Sequence, residues 1–229
     1  MSVGTLYIVA TPIGNLEDIT ARAVRVLREV DWIAAEDTRH TRKLLTHLEI
    51  HTRVISCHGH NERASTAGLL QLLQRGESVA LVSDAGTPAI ADPGLQVAQA
   101  AREASIPVVP IPGPCAAITA LSAAGLPTHA FTFVGFLPEK MGRRRTYLEQ
   151  LTAIPHTLVF YVAKWDVARY LQEMLACFGD RPAALARELT KQYETIRCAT
   201  LAELLSAAQA APPRGEIVVL VAGAPEHKR

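Results

Sequence analysis

Ser78–Gly94 reads SVALVSDAGTPAIADPG. Its first six residues, Ser78–Ser83, form the clearest strand candidate in the chain, a short apolar run with no charge. It runs directly into a loop holding two glycines, two prolines and two aspartates. Leu95–Ala104 then carries the spacing of a helix. A buried strand, a Gly/Pro-rich loop and a helix, in that order, is one βα unit. The same unit recurs on either side. Thr5–Ala10 (TLYIVA) is a strand followed by Thr11–Asp18 (TPIGNLED). The helix Ile19–Val30 comes next, with Ala23, Val26, Leu27 and Val30 on one face. Trp32–Ala35 and Arg53–Ser56 are further strands around the polar helix Thr38–Leu48. Ala64–Gln74 repeats leucines at helical spacing and stops at Gly76. Pro107–Ile111 is a strand, Pro112–Pro114 (PGP) its loop and Cys115–Ala124 a helix of small residues.

Such alternation predicts a mostly parallel sheet with helices on both faces. Ligands of these sheets sit outside the carboxyl ends of the strands. The three unusual loops, TPIGNLED, DAGTPAIADPG and PGP, all fall at predicted strand ends, which points to one shared cleft. Beyond Gly125–Thr128 the character changes. Phe131, Phe133 and Phe136 alternate as in a strand, followed by the basic run Gly142–Arg145 and a helix. His156–Val162 is a strand, Trp165–Phe178 a helix, and Ala183–Arg187 and Glu194–Cys198 are strands. Ala199–Ala208 is a short helix and Glu216–Ala222 a last strand. Tight spacing here favours a mixed sheet. The expected division is 1–125 and 126–229.

Composition narrows the function. The chain has 229 residues, 49% hydrophobic and 20% charged, which suits a packed core and excludes a disordered chain. A net charge of +1 restricts any nucleic-acid contact to local patches. Aromatic residues at 5% argue against a stacking platform for single strands. The four cysteines show no C-x-x-C spacing and the eight histidines no ligand spacing, so no metal site is expected. No apolar run approaches the ~20 residues of a membrane span, and a soluble, cytoplasmic protein is expected. The first loop carries neither G-x-G-x-x-G nor a phosphate-cradling lysine motif, which weakens dinucleotide and triphosphate readings. A cofactor bound by backbone groups and an apolar slot fits better, and S-adenosylmethionine is compatible.

Longer motifs sharpen this reading. LYIVATPIGNLEDIT (Leu6–Thr20), AAEDTRHT (Ala34–Thr41), HNE (His60–Glu62), ALVSDAGTPAIADP (Ala80–Pro93), VPIPGPCAAITALSAAGLP (Val109–Pro127), GFLP (Gly135–Pro138) and ARELTK (Ala186–Lys191) form an ordered series. The series resembles the ribosomal RNA small subunit methyltransferase I family of the tetrapyrrole methylase superfamily, from about Gly4 to Gly223. The resemblance implies two α/β domains of the tetrapyrrole methylase type, the N-terminal sheet mostly parallel and the C-terminal one mixed. The cofactor, S-adenosyl-L-methionine, is expected in the cleft between them. The implied activity is 2′-O-methylation of a cytidine ribose in 16S rRNA of the small ribosomal subunit, by a homodimer. Carried over by position, the cofactor contacts are Pro12, Asp84, Ala85, Gly86, Thr87, Cys115, Ala116, Tyr161, Ala186 and Gly215. Asp84 also reads as an Asx-turn residue capping its own loop.

The ribose hydroxyl is a poor nucleophile that needs orientation or a base. Asp37, Glu36 and Lys191 are the catalytic candidates. His60, Glu62 and Glu188 are further titratable groups in matching motifs. AEDTRHT reads equally as a helix start, with Asp37 or Thr38 as cap and Glu36 paired with Arg39. Asn15, Arg39, His60, Asn61, Glu62, Arg143 and Arg144 are the expected substrate contacts, the arginines through RNA phosphates. Arg143–Arg145 reads equally as a solvated basic face.

Two departures stand out. The resemblance implies a Tyr-Glu-Ser/Ala-x-His-Arg run, whereas Tyr161–Asp166 reads YVAKWD. It also implies a short helical C-terminal extension, and the sequence ends at Arg229. A small-tetrapyrrole methyltransferase and a non-catalytic small-subunit assembly factor are the alternative readings.

Overall fold

The computed structural model describes residues 3–57, 62–163 and 167–225, and only the backbone at 62 and 63. The chain divides into two compact units, Met1–Cys115 and Ala116–Arg229. The expected boundary lay about ten residues later. The helix Ala116–Ala123 (α5) packs on strands of the second sheet, which moves it out of the first unit.

In the first unit, β1 (Leu6–Val9), β2 (Trp32–Ala35), β3 (Arg53–Ser56), β4 (Val79–Val82) and β5 (Val108–Ile111) form one sheet in the order β3-β2-β4-β1-β5. Every pairing is parallel. β4, buried at all four positions, sits at the centre. Alternation divides its side chains. Ala80 and Val82 join a core with α1 (Ala21–Glu29) and α2 (Thr38–His47). Val79 and Leu81 join a second core with α3 (Glu62–Gln74) and α4 (Leu95–Glu103). Each face of the sheet is thus covered by two helices, as the continuous apolar strands require. In α1, Ala23, Val26 and Leu27 are buried and Thr20 caps the helix by accepting from the Ala23 amide at 3.1 Å.

The second unit holds β6 (Phe131–Phe136), β7 (Thr157–Val162), β8 (Pro182–Arg187), β9 (Thr195–Thr200) and β10 (Ile217–Val221), in the order β6-β7-β10-β8-β9. β6 pairs parallel with β7 and the other pairings are antiparallel, the mixed sheet expected. Leu158, Phe160, Leu185, Ile217 and Val219 pack against α6 (Met141–Leu151), α7 (Val167–Phe178) and α8 (Leu201–Ala210).

Two local readings change. The phenylalanines do not alternate throughout β6, because the register shifts between Phe133 and Gly135. The extra residue brings Phe133 and Phe136 to one side of the strand, both edge-on to the Tyr161 ring at 5.1 and 5.4 Å. The helix expected from Ala199 starts at Leu201 instead. β9 continues to Thr200, which forms a capping box with Glu203.

Candidate active site

The carboxyl ends of β2, β4, β1 and β5, neighbours in the first sheet, are tied together by their loops. Thr11 and Gly86 exchange backbone hydrogen bonds, Thr11 N to Gly86 O at 2.9 Å and Gly86 N to Thr11 O at 3.1 Å. Thr11 Oγ1 donates to the Ser83 carbonyl at 3.2 Å. Thr87 Oγ1 donates to the Pro114 carbonyl at 3.1 Å, joining the β4 and β5 loops. Asp84 Oδ1 accepts the Asp37 amide at 3.1 Å, joining β4 to β2. Gly86 has φ +83°, and a Cβ there would meet Ile13 Cγ2 at 3.4 Å. Only glycine adopts that conformation freely while pressed between two loops.

The β4 loop is strained beyond Gly86. Ala89 and Ala91 have φ of 68° and 59°. A left-handed residue with a Cβ costs about 1–2 kcal/mol, and such strain collects at functional loops. Asp92 in this loop has its carboxyl pKa pushed up, first by burial and further by the neighbouring Asp84 charge. A hydrogen bond from Ser83 acts in the opposite direction.

In the second unit, Glu188, Lys191 and Glu216 form a clamp around the turn at Gly215. Glu188 Oε1 accepts the Glu216 amide at 2.7 Å and Lys191 Nζ at 3.2 Å. Lys191 Nζ also reaches Glu216 Oε2 at 3.0 Å. Gly215 (φ +98°) leaves the space that the Glu188 side chain fills; a Cβ there would overlap it from Cγ to Oε1. The Glu216 amide, with help from Lys191, lowers the Glu188 pKa against the effect of partial burial. Burial opposes the Lys191 charge, but Glu216 and Glu188 together outweigh it and raise the pKa. Elsewhere in this unit the Ala117 amide at the start of α5 donates to the Tyr161 hydroxyl at 3.2 Å.

Residues 5–205 match the model of the tetrapyrrole (corrin/porphyrin) methylases. The ribosomal RNA small subunit methyltransferase I of Pseudomonas aeruginosa is 54% identical over 99% of this chain and 82% of its own length. The chain belongs to the ribosomal RNA small subunit methyltransferase I family. The enzyme of that name from Escherichia coli O157:H7 is 53% identical over 97% of this chain and 79% of its own. In fold, uroporphyrin-III C-methyl transferase from Thermus thermophilus, complexed with S-adenyl homocysteine, superposes with a TM-score of 0.68 at 20% identity. That match covers 96% of this chain and 97% of the other.

As a member of this methyltransferase family, the chain places its sequence-selected residues unevenly. Pro12, Asp84, Ala85, Gly86 and Thr87 lie in the hydrogen-bonded strand-end loops, and Cys115 closes the same unit after PGP. Ala116, Tyr161, Ala186 and Gly215 belong to the second unit, at the start of α5, in β7, in β8 and in the clamp turn. Asn15 caps the short 3₁₀ turn Leu16–Asp18 by accepting the Glu17 amide. Asp37 is the N-cap of α2, taking the Arg39 amide at 2.8 Å and the Arg39 guanidinium at 2.9 Å. Arg39 therefore pairs with Asp37. That guanidinium, with the helix amides, holds the Asp37 carboxyl far below the usual carboxylate range. Glu36 is half-buried beside it. His60 and Asn61 lie outside the described residues, as does the side chain of Glu62; Lys164–Asp166 of the departing YVAKWD segment also lie outside.

Arg144 is a correction. It was expected to meet RNA phosphates, yet it is 0% exposed. Its guanidinium forks onto Glu173, donates to the Pro138 and Glu139 carbonyls at 3.0 and 2.7 Å and lies 4.7 Å over the Tyr170 ring. Arg143 and Arg145 are exposed, the latter paired with Glu149. Sequence reasoning missed Asp92 and Glu216. The only signals were the Asp-Pro-Gly end of the loop and the Gly-Glu step before β10.

Proposed function

We propose that this chain transfers the methyl group of S-adenosylmethionine to the 2′-hydroxyl of a cytidine ribose in 16S rRNA, within the small ribosomal subunit in the cytoplasm. The observation that carries this reading is the relationship itself: about half of all positions are identical to small-subunit rRNA methyltransferases over nearly the whole chain. The strand-end loops suit the cofactor. They offer backbone groups, small side chains at Ala85 and Gly86, and no phosphate cradle. Asp84, with one oxygen on the Asp37 amide, has its second oxygen to offer a hydroxyl or ammonium group. Pro12, Thr87 and Cys115 complete this set, and Ala116, Tyr161, Ala186 and Gly215 are the proposed contacts from the second unit.

When bound, S-adenosylmethionine supplies an electrophilic methyl and a neutral thioether leaving group, so no general acid is required. The residues have to orient and desolvate the hydroxyl. The Arg39 guanidinium and amide hold the Asp37 carboxyl well below the usual carboxylate range, which favours its anion. Lys191 is held cationic by two carboxylates. Both therefore act by charge and position, and Glu36 is the proposed proton acceptor among the three. Asn15, Arg39 and Arg143 are the proposed RNA contacts.

The test is transfer of labelled methyl groups to small subunits lacking the modification, with naked 16S rRNA run in parallel and the product nucleotide mapped. Incorporation at one cytidine 2′-hydroxyl in subunits is expected. Binding to subunits without methyl transfer, cofactor binding having been verified, would refute the enzyme reading in favour of an assembly factor.

A further inference from the structure

A pair of arginines lies on the helix-covered face of the second sheet. In the antiparallel pairing of β8 and β9, Arg187 stands opposite Thr195 and Leu185 opposite Arg197. These four side chains share one face, and the two arginines are diagonal neighbours, roughly 7–8 Å apart by sheet geometry. Like charges so placed repel. They line a cavity of about 490 Å³ whose remaining wall is apolar: Leu204, Ala207, Ala208 and Ala211 of α8 and its end, then Pro212 and Pro213. No carboxylate lines it among the described residues. Glu188, next in the chain to Arg187, hydrogen-bonds Lys191 and the Glu216 amide and reaches Arg187 only through its charge.

The Arg187 Nε is buried and has no hydrogen-bond partner among the described residues. A buried guanidinium N–H without an acceptor costs stability, and an anion in the cavity would supply the acceptor. Arg197 is exposed at the rim, where an incoming chain meets it first. The cavity volume falls in the range of small-ligand sites. The groove beneath the opposite, amino end of the first sheet is larger, about 620 Å³, but it carries carboxylates of Asp31, Glu49 and Glu77 alongside its arginines, with Trp32 Nε1 donating to Glu77, Ser78 donating to Asp31 and Arg53 lying over Trp32.

We infer that the Arg187–Arg197 cavity takes one nucleotide of single-stranded RNA, its phosphate between the two guanidiniums and its base or sugar against the alanine and proline wall. The site lies on the sheet face opposite Ala186, so it acts as an anchoring point for the RNA and not in the transfer step. It rests on the reading that RNA is the substrate.

The test measures binding of a labelled single-stranded RNA ten-mer to the full chain at several salt concentrations, for wild type, Arg197→Ala, Arg197→Lys and Arg187→Gln. Each lost phosphate contact should reduce the slope of log K against log salt by about 0.7. Arg197→Ala is expected to weaken RNA about tenfold with that change in slope, Arg197→Lys to recover most of it, and binding of S-adenosylhomocysteine to stay unchanged in both Arg197 variants. Arg187→Gln should weaken RNA similarly; because Arg197 is exposed, its variants carry the test even where Arg187→Gln unfolds. Wild-type affinity and slope in Arg197→Ala would overturn the inference. So would inorganic phosphate competing as well as cytidine 5′-monophosphate, or the monophosphate binding without being displaced by RNA. Methyl transfer to subunits is scored separately. Loss of RNA binding in Arg197→Ala from a wild type that methylates nothing would keep this site and remove the proposed activity. A methylating wild type with unchanged subunit KM in Arg197→Ala would do the reverse.

Discussion

Replacing Arg144 by alanine should destabilise the second unit and leave RNA contact intact, the opposite of what a basic Gly-Arg-Arg-Arg run suggests. The side chain is fully buried and, among the described residues, donates twice to Glu173 and once each to the Pro138 and Glu139 carbonyls. Removing one partner of a buried ion pair costs ~3–5 kcal/mol, mostly by stranding the other charge. The Glu173 side chain keeps 19% exposure and can partly rehydrate, which favours the lower end. The two carbonyls lose their donor and the Tyr170 ring loses its cation, which pulls back upward. About 3–4 kcal/mol is the expected loss, a fall in Tm of roughly 6–16 °C at ~2–4 °C per kcal/mol. Urea unfolding followed by circular dichroism measures it. Arg144→Met combined with Glu173→Leu should recover most of the loss, because the stranded charge is gone. Arg143→Ala, one residue away and exposed, should change stability by less than ~0.5 kcal/mol and lower the salt dependence of RNA binding. An Arg144→Ala protein as stable as wild type but with a shallower salt slope would refute this assignment.

Further outcomes are expected. Asp37→Asn keeps an N-cap of equal quality and removes only the charge, so methyl transfer should stay within about tenfold, whereas loss of a true general base costs ~100-fold or more; steady-state kinetics on small subunits decides. Gly215→Ala forces a left-handed alanine and displaces Glu188 from the Glu216 amide, together about 2–3 kcal/mol, and should weaken S-adenosylhomocysteine binding by calorimetry. Asp92→Asn should raise the melting temperature at neutral pH. The folded protein holds the Asp92 proton more tightly than the unfolded chain, whose value is near 3.8. Ionisation therefore costs stability as pH rises, and the variant's advantage should vanish below that value. Equal melting temperatures at pH 7 would count against burial of that carboxylate.

The parallel sheet was legible from residue pattern alone. Short apolar strands alternating with helices, three of them closed by loops rich in glycine and proline, leave little other choice, and their ends fell within a residue or two. That pattern also located the loops TPIGNLED, DAGTPAIADPG and PGP at the strand ends where ligands bind. What those loops do to one another is non-local. Only the order β2-β4-β1-β5 brings Asp37, Asp84, Thr11 and Pro114 side by side, residues up to 103 positions apart. The AEDTRHT motif left two roles open; in the tertiary structure Asp37 caps α2 by taking the Arg39 amide, and the Arg39 guanidinium turns back onto it. The fate of Arg144 was partly legible. It lies four and seven residues before Leu148 and Leu151, on the buried stripe of α6, but charge alone argues for solvent. A guanidinium enters a core only when distant groups meet all its donors, and Glu173, 29 residues away, is such a group. The Arg187–Arg197 cavity was invisible for the same reason. Strand register and the end of α8 meet there through space, and no local pattern in ARELTK or TIRCAT records which face their arginines share.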